Sequence, residues 1–270
     1  MKASALENAL RSCSQVGRIG MIPFVTVGYP DPSTTIDIVE SIVEAGADVV
    51  ELGVPFSDPL AEGLTIQRST SHALDAGVTP QLCIEVASKL RNRGLDVPLV
   101  LMGYYNPILA YGIDKFCVAA AQAGVDGLIV ADLPVEETGP LFASAVSAGL
   151  CLVPLVALTS TEQRIADACK IASGFVYCVS VLGVTGARSE MSNSVKNLVA
   201  TVKRHTPLPV AVGFGVSKPE HVVELGRYAD AAVVGSALLE VISGSPRRSA
   251  ARRAANFISS LSGQAKIDVL

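Results

Sequence analysis

Three carboxylates in one short stretch could do chemistry. Glu51 lies in Val49-Val50-Glu51-Leu52, a run that is otherwise apolar, where a charge is costly unless it is bonded or functional. Apolar surroundings raise a carboxyl pKa, which suits such a group to give and take a proton near neutral pH. The alternative is a buried Glu bonded to backbone amides. The chain continues as Gly53-Val54-Pro55-Phe56-Ser57-Asp58-Pro59-Leu60-Ala61-Glu62-Gly63, a Pro- and Gly-rich loop carrying two more acids. Asp58 and Glu62 are each candidates for a partner to Glu51, and simple solvation is the competing reading of either.

A second constellation is glycine-rich and lies late in the chain: Gly183-Val184-Thr185-Gly186, Gly213-Phe214-Gly215-Val216-Ser217 and Gly235-Ser236. Backbone amides in such loops, backed by a helix N-terminus, bind phosphate, and a Cβ would hinder the close approach of the backbone. Each piece alone is weak, since Gly also ends strands for steric reasons. Their recurrence after three successive strands points to a phosphate site.

The elements that must position these residues form a regular alternation. Strands are expected at Met21–Val27, Asp48–Leu52, Pro98–Met102, Gly127–Ala131, Leu150–Val156, Gly174–Val179, Pro209–Val212 and Ala231–Val234. Between them, helical spacing runs over Thr34–Ala45, Gln81–Arg93, Ile113–Gln122, Pro134–Ala148, Thr161–Ile171, Ser194–Arg204 and Lys218–Leu225. Several helices close on one phrase, Glu44-Ala45-Gly46-Ala47-Asp48 and Gln122-Ala123-Gly124-Val125-Asp126 among them, whose Gly supplies a left-handed turn residue. Eight βα units with continuous apolar strands predict one α/β domain over residues 1–270, a closed (β/α)8 TIM barrel. An extra helix within residues 1–16 would cap its N-terminal end, and a basic helix, Ser249–Leu261, would complete the last unit. An open nucleotide-binding sheet is disfavoured, because Gly213-Phe214-Gly215 lacks the third Gly of the dinucleotide fingerprint.

In such barrels the reacting groups sit at the C-terminal strand ends. Glu51, Asp132, Tyr177 and Ser236 are the polar residues there, with Asn106 in the loop after the third strand. His72, His205 and His221 fall at helix ends, so carboxylates must carry any proton transfer.

Composition supports this reading. Half of the 270 residues are hydrophobic, only 17% are charged and Trp is absent, which suits a core of Val, Leu, Ile and Ala. A net charge of −4 gives no reason to expect nucleic acid or an anionic membrane as partner. No segment approaches the roughly 18 apolar residues of a membrane span, and Glu7 and Arg11 interrupt any signal-peptide core. A cytoplasmic location is expected. The six cysteines form no CxxC pair, so buried free thiols are expected, with no metal site. The Arg247, Arg248, Arg252, Arg253 cluster reads as the solvated face of the last helix.

The ordered strings PFVTVGYP (23–30), VELGVPFSDPLAEGLTIQ (50–67), MGYYNPILAYG (102–112), ADLPVEE (131–137), GVTGARSE (183–190), GFGVS (213–217) and VVGSAL (233–238) run through nearly the whole chain. In them the sequence resembles the tryptophan synthase alpha subunit family. The resemblance implies retro-aldol cleavage of indole-3-glycerol phosphate to indole and glyceraldehyde 3-phosphate, without metal or organic cofactor. It implies that Glu51 and Glu62 are the catalytic carboxylates and that Phe24, Tyr104, Tyr177 and Phe214 line an indole pocket. Thr185 would lie in a closing loop, and Gly186, Gly215, Gly235 and Ser236 would bind phosphate. Residues 53–64 and 183–194 would be the active-site loops. The implied partner is a pyridoxal-phosphate beta subunit in an αββα heterotetramer, contacted near Asp58, Asn106 and Pro107.

One departure matters. The family usually has LADGP, whereas this chain reads Leu60-Ala61-Glu62-Gly63-Leu64. Glu62 keeps an anionic acceptor but adds a methylene, where about 1 Å can cost a hundredfold in rate. Leu64 removes the φ constraint of Pro. A working variant is the first expectation; a stand-alone lyase and a low-activity regulatory alpha-like subunit are the alternatives. Another phosphate-binding barrel enzyme, such as a sugar-phosphate isomerase, is the more distant one.

Overall fold

The computed structural model describes residues 4–60, 62–179, 188–213 and 215–262, the side chains of 188–192 aside. The strands are β1 (Gly20–Thr26), β2 (Val50–Gly53), β3 (Leu99–Gly103), β4 (Gly127–Val130), β5 (Cys151–Leu152), β6 (Leu155–Ala157), β7 (Val176–Val179), β8 (Val210–Gly213) and β9 (Ala231–Val234). All pair in parallel, in the order β5-β4-β3-β2-β1-β9-β8-β7-β6. The expected single fifth strand is therefore two short ones. Pro154, which has no N–H to donate, separates them, yet its carbonyl accepts from Tyr177 N at 3.1 Å while Val153 N donates to Leu128 O at 2.9 Å. The segment hands the ladder from β4 to β7, and the sheet closes as a (β/α)8 TIM barrel.

The helices are α1 (Ala5–Gln15), α2 (Pro32–Glu44), α3 (Leu64–Asp75), α4 (Pro80–Asn92), α5 (Tyr105–Tyr111), α6 (Ile113–Gln122), α7 (Gly139–Ala148), α8 (Glu162–Ile171), α9 (Arg188–His205), α10 (Pro219–Gly226), α11 (Ser236–Ser243) and α12 (Arg247–Ser262). α2 begins two residues before its expected start because Asp31 caps it, accepting from Thr34 N at 3.0 Å, with Pro32 in the first turn. α12 buries Ala250, Ala254, Ile258 and Leu261 along one face, and its exposed arginines include Arg248, Arg252 and Arg253. Arg247 is exposed as well, and its Nε lies 2.7 Å from Asp31, tying the last helix to the cap of α2.

Inside the barrel, Ile22, Val49, Val100, Ile129, Val153, Phe175 and Ala211 form one apolar cluster with Leu6 and Leu10 of α1. A Cβ on Gly20 would come within 2.7 Å of Leu10, and one on Gly127 within 2.8 Å of Leu6. These glycines let α1 plug the N-terminal end.

Three aspartates fasten that same end. Asp48, just before β2, accepts from Met21 N at 2.8 Å and takes both terminal nitrogens of Arg18, at 2.6 and 2.7 Å. Asp126, just before β4, accepts from Leu99 N at 2.8 Å and Arg91 at 2.7 Å. Asp230, just before β9, accepts from Val210 N at 2.8 Å and pairs with Lys203 at 3.0 Å. In each, a carboxylate at the foot of one strand satisfies an amide of its neighbour.

Candidate active site

Period-two alternation puts Phe24 on the inward face with Ile22, and the register places it beside Glu51. Glu51 is 1% exposed, and among the described residues neither of its oxygens finds a hydrogen-bond partner. Burial raises its pKa to about 8, with the charge of Glu62 adding to the effect. The alternative of a Glu bonded to backbone amides is therefore excluded among those residues.

Of Asp58 and Glu62, it is Glu62 whose charge reaches Glu51. Asp58 is exposed and accepts from Ser57 Oγ at 2.6 Å. Glu62 is largely buried, which raises its pKa to about 7, while hydrogen bonds from the Thr70 and Tyr104 hydroxyls pull the other way. Its Oε2 is buried without a partner among the described residues. Its main chain is fixed as well, since Gln67 Nε2 donates to Glu62 O at 2.8 Å.

Aromatic residues surround the two acids. Tyr104, buried, follows β3 directly as the N-cap of α5, and its ring lies 5.2 Å from that of Phe56. Tyr177, in β7, has its hydroxyl pKa raised by burial and by the charge of Glu51. Two glycines make room for these rings. A Cβ on Gly53 would collide with the tip of Phe24, and one on Gly213 would lie 2.5 Å from Tyr177 Oη. Gly213, read from sequence as part of a phosphate loop, also leaves room for the Tyr177 hydroxyl.

Gly235 and Ser236 stand together where β9 meets α11: Gly235 is the N-cap and Ser236 the first helical residue. The first amide after them to be bonded back is Leu239 N, to Gly235 O at 3.1 Å. The helix start therefore offers N–H groups to an anion. Gly215 is exposed with φ +56°, a backbone conformation that favours Gly. Thr185, Gly186 and Phe214 lie outside the described residues.

Two other polar residues have structural tasks. Asp132 accepts from Tyr105 N at 2.8 Å and so anchors α5, and Asn106 belongs to that helix rather than to a loop. His72 lies within the last turn of α3, where Nε2 is 2.9 Å from Pro30 O.

Sequence reasoning did not single out α3, which carries Thr70. Its segment, LTIQRSTSHALD, buries Ser69, Thr70 and Ala73, so the inward face is small and hydroxylic, not an apolar stripe. Thr26 at the end of β1 was missed with it; its hydroxyl is 2.7 Å from that of Ser69. Buried hydroxyls on two neighbouring elements were the available signal.

The sequence model of the tryptophan synthase alpha chain family matches residues 10–266. The chain is 46% identical over 245 residues to the tryptophan synthase alpha chain of Chloroflexus aurantiacus, covering 91% of this chain and 92% of that one. To the alpha chain of Roseiflexus castenholzii it is 47% identical over 247 residues, covering 92% and 95%. A crystal structure of the tryptophan synthase alpha chain from Legionella pneumophila superposes with a TM-score of 0.90 at 30% identity, covering all of both chains. A structure of Mycobacterium tuberculosis tryptophan synthase gives 0.90 at 34% identity, over 98% of this chain and 100% of that one. With sequence matched nearly end to end and the same barrel recovered, this chain belongs to the tryptophan synthase alpha chain family.

Proposed function

We propose that this chain cleaves indole-3-glycerol phosphate to indole and glyceraldehyde 3-phosphate, as the alpha subunit of a tryptophan synthase. The observation that carries the reading is the pair of acids at the C-terminal mouth, both with raised pKa values and with bare buried oxygens. Breaking the C–C bond requires a proton on indole C3 and loss of the proton from the glycerol hydroxyl. The electron pair of the breaking bond returns to the ring, and the hydroxyl carbon becomes the aldehyde. Glu51, with the higher pKa, holds a proton near neutral pH and delivers and accepts it. Glu62 accepts the indole N–H through Oε2 and stabilises the positive charge that develops when C3 is protonated.

Phe24, Tyr104 and Tyr177, with Phe214, form the indole pocket in this reading. Gly215, Gly235 and Ser236, with Gly186, receive the phosphate, and Thr185 closes over the site. Among the described residues the amides of the first turn of α11 have no partner, which supports the phosphate assignment. One domain spans residues 1–270, with 53–64 and 183–194 as its active-site loops. The partner is the beta subunit in an αββα heterotetramer, docked around Asp58, Asn106 and Pro107; Leu60 is 90% and Leu64 70% exposed beside them, apolar surface available to a partner. A cytoplasmic location follows from the biosynthetic role, and no described helix is long and apolar enough to cross a membrane.

The test is indole release from indole-3-glycerol phosphate by the purified chain, before and after adding the cognate beta subunit. Release that rises on mixing supports the subunit reading, and release that does not change favours a stand-alone lyase. No release in either state overturns the assignment.

A further inference from the structure

Glu51 stands on a strand, but Glu62 reaches the site from a loop that leaves β2 at Gly53 and enters α3 at Leu64. Loop main chain is freer than strand main chain and has to be fixed from outside. Gly63 has no side chain with which to cap α3, and Leu64 brings no φ constraint. The tie comes from the helix instead. Gln67, half-buried in the first turn of α3, donates from Nε2 to Glu62 O at 2.8 Å, while its own amide donates to Gly63 O at 3.0 Å. One residue thus takes two successive carbonyls of the loop, the first by side chain and the second by main chain. The helix that holds the loop is itself anchored on two sides. Buried Ser69 Oγ lies 2.7 Å from buried Thr26 Oγ1 at the end of β1, and Thr65 Oγ1 donates to Glu240 Oε1 of α11 at 3.2 Å. A Cβ on Gly235, the N-cap of α11, would lie 3.9 Å from Ile66 Cδ1. α3 is therefore a braced element against which the Glu62 main chain can be set.

We propose that Gln67 is a positioning residue for Glu62: its side-chain amide clamps the Glu62 carbonyl to the first turn of α3, so that the carboxylate enters the site from a fixed main chain. The inference rests on the lyase reading for its catalytic consequence, but the clamp can be read without turnover. A Glu side chain has one more rotatable bond than the Asp usual at this position, so where its carboxylate lies depends more on a fixed starting point. Release of the carbonyl lets the carboxylate wander from the indole nitrogen. Because the bond from that nitrogen strengthens as positive charge develops, the loss falls on kcat more than on KM. A Gln67 that merely stabilised the start of a helix would affect unfolding and leave kcat alone.

The experiment uses two variants of the full chain that lose the bond by different routes. Gln67→Met keeps the length of the side chain without a donor, and Gln67→Asn keeps the amide one methylene short of the carbonyl. Steady-state indole release gives kcat and KM. The main-chain carbonyl of Glu62 is followed by carbon-13 NMR in chain labelled at glutamate, its resonance assigned by its loss in Glu62→Gln. In both variants that resonance should move upfield as the carbonyl loses its donor. In both, kcat should fall about tenfold while KM stays within about threefold. Wild-type kcat in either variant, a loss of kcat/KM carried wholly by KM, or an unmoved carbonyl resonance overturns the proposal. Should one variant fail to fold, the other decides by the same criteria, and failure of both to fold also overturns it, since Gln67 would then serve the fold. If the wild-type chain releases no indole, the lyase reading fails, while the carbonyl resonance still decides whether Gln67 clamps Glu62.

Discussion

At the N-terminal end of the barrel, Asp48, Asp126 and Asp230 each receive a backbone amide of the neighbouring strand and a cationic side chain. At the C-terminal end Glu51 is more deeply buried than any of them, yet has neither, and Glu62 leaves one oxygen bare. Both ends sit on the same strands, so the contrast owes nothing to fold class. It reflects what each acid is for. A carboxylate bonded to an amide and a cation holds the sheet in register. Burial raises the Asp126 pKa as well, but there the Leu99 amide and Arg91 pull toward the ionised form. At Glu51 no bond among the described residues opposes burial, which leaves the group able to exchange a proton with something else.

The largest expected effect separates the two ends directly. Glu51→Gln removes the proton carrier while keeping shape, and kcat should fall by about a thousandfold, within the usual range for a general acid–base group. Binding of a glycerol-phosphate analogue should persist, because the amides at α11 are untouched. Near-normal turnover in this variant would sink the assignment of Glu51.

At the other end the expected loss is in stability. Asp126→Asn keeps an acceptor for Leu99 N but uncouples Arg91, and should lower unfolding free energy by about 2 kcal/mol. Turnover at 25 °C should stay within about twofold of the wild type. A chemical-denaturation midpoint equal to wild type, or a large loss of turnover in a fully folded variant, would erase the division between the ends.

The third expectation concerns pH. Folding raises the Glu51 pKa from 4.5 to about 8. Below the unfolded value the group is protonated in both states and costs nothing. As pH rises toward the folded value, the unfolded chain gains by ionising, so stability is lost between these limits. Glu51→Gln has no such group. Its stability advantage over wild type should therefore widen by more than about 1 kcal/mol between pH 5 and pH 8, since each pKa unit is worth about 1.4 kcal/mol. Parallel curves in urea unfolding would mean that Glu51 finds satisfied partners.

Sequence made some of this legible. The strands announce themselves because parallel barrel strands are buried on both faces and read as continuous apolar runs. Glu51 stands out for the same reason, as the one charge inside such a run. The aspartate clasps were partly visible: the repeated Ala-Gly-Ala-Asp and Ala-Gly-Val-Asp phrases mark helix ends, but sequence shows only the glycine's turn and not the amide across the sheet that the aspartate reaches. α3 and Thr70 stayed hidden because a helix that buries hydroxyls has no apolar period to detect. Residue type and spacing alone left Asp58 and Glu62 level; only the resemblance in Leu60-Ala61-Glu62-Gly63-Leu64 pointed to Glu62, because burial of one loop acid and exposure of the other depend on the path of the loop.

The smallest expected effect bears on how firmly the catalytic end is held. Leu64 occupies the first position of α3, where Pro is well tolerated, because the amide there has no helical carbonyl to bond. Gly63 before it sits at φ −75° and ψ 165°, the extended conformation that a residue preceding Pro requires. The Leu64 side chain is 70% exposed, so little packing is lost in exchange. Leu64→Pro should accordingly raise stability by about 0.5 kcal/mol, by restricting the unfolded chain, with turnover by the isolated chain unchanged within about twofold. If the gain appears and turnover holds, the bond from Gln67 to the Glu62 carbonyl, not backbone stiffness at position 64, places Glu62. A turnover gain of tenfold would show instead that the loop entering α3 limits catalysis, and that the catalytic end lacks rigidity as well as hydrogen bonds.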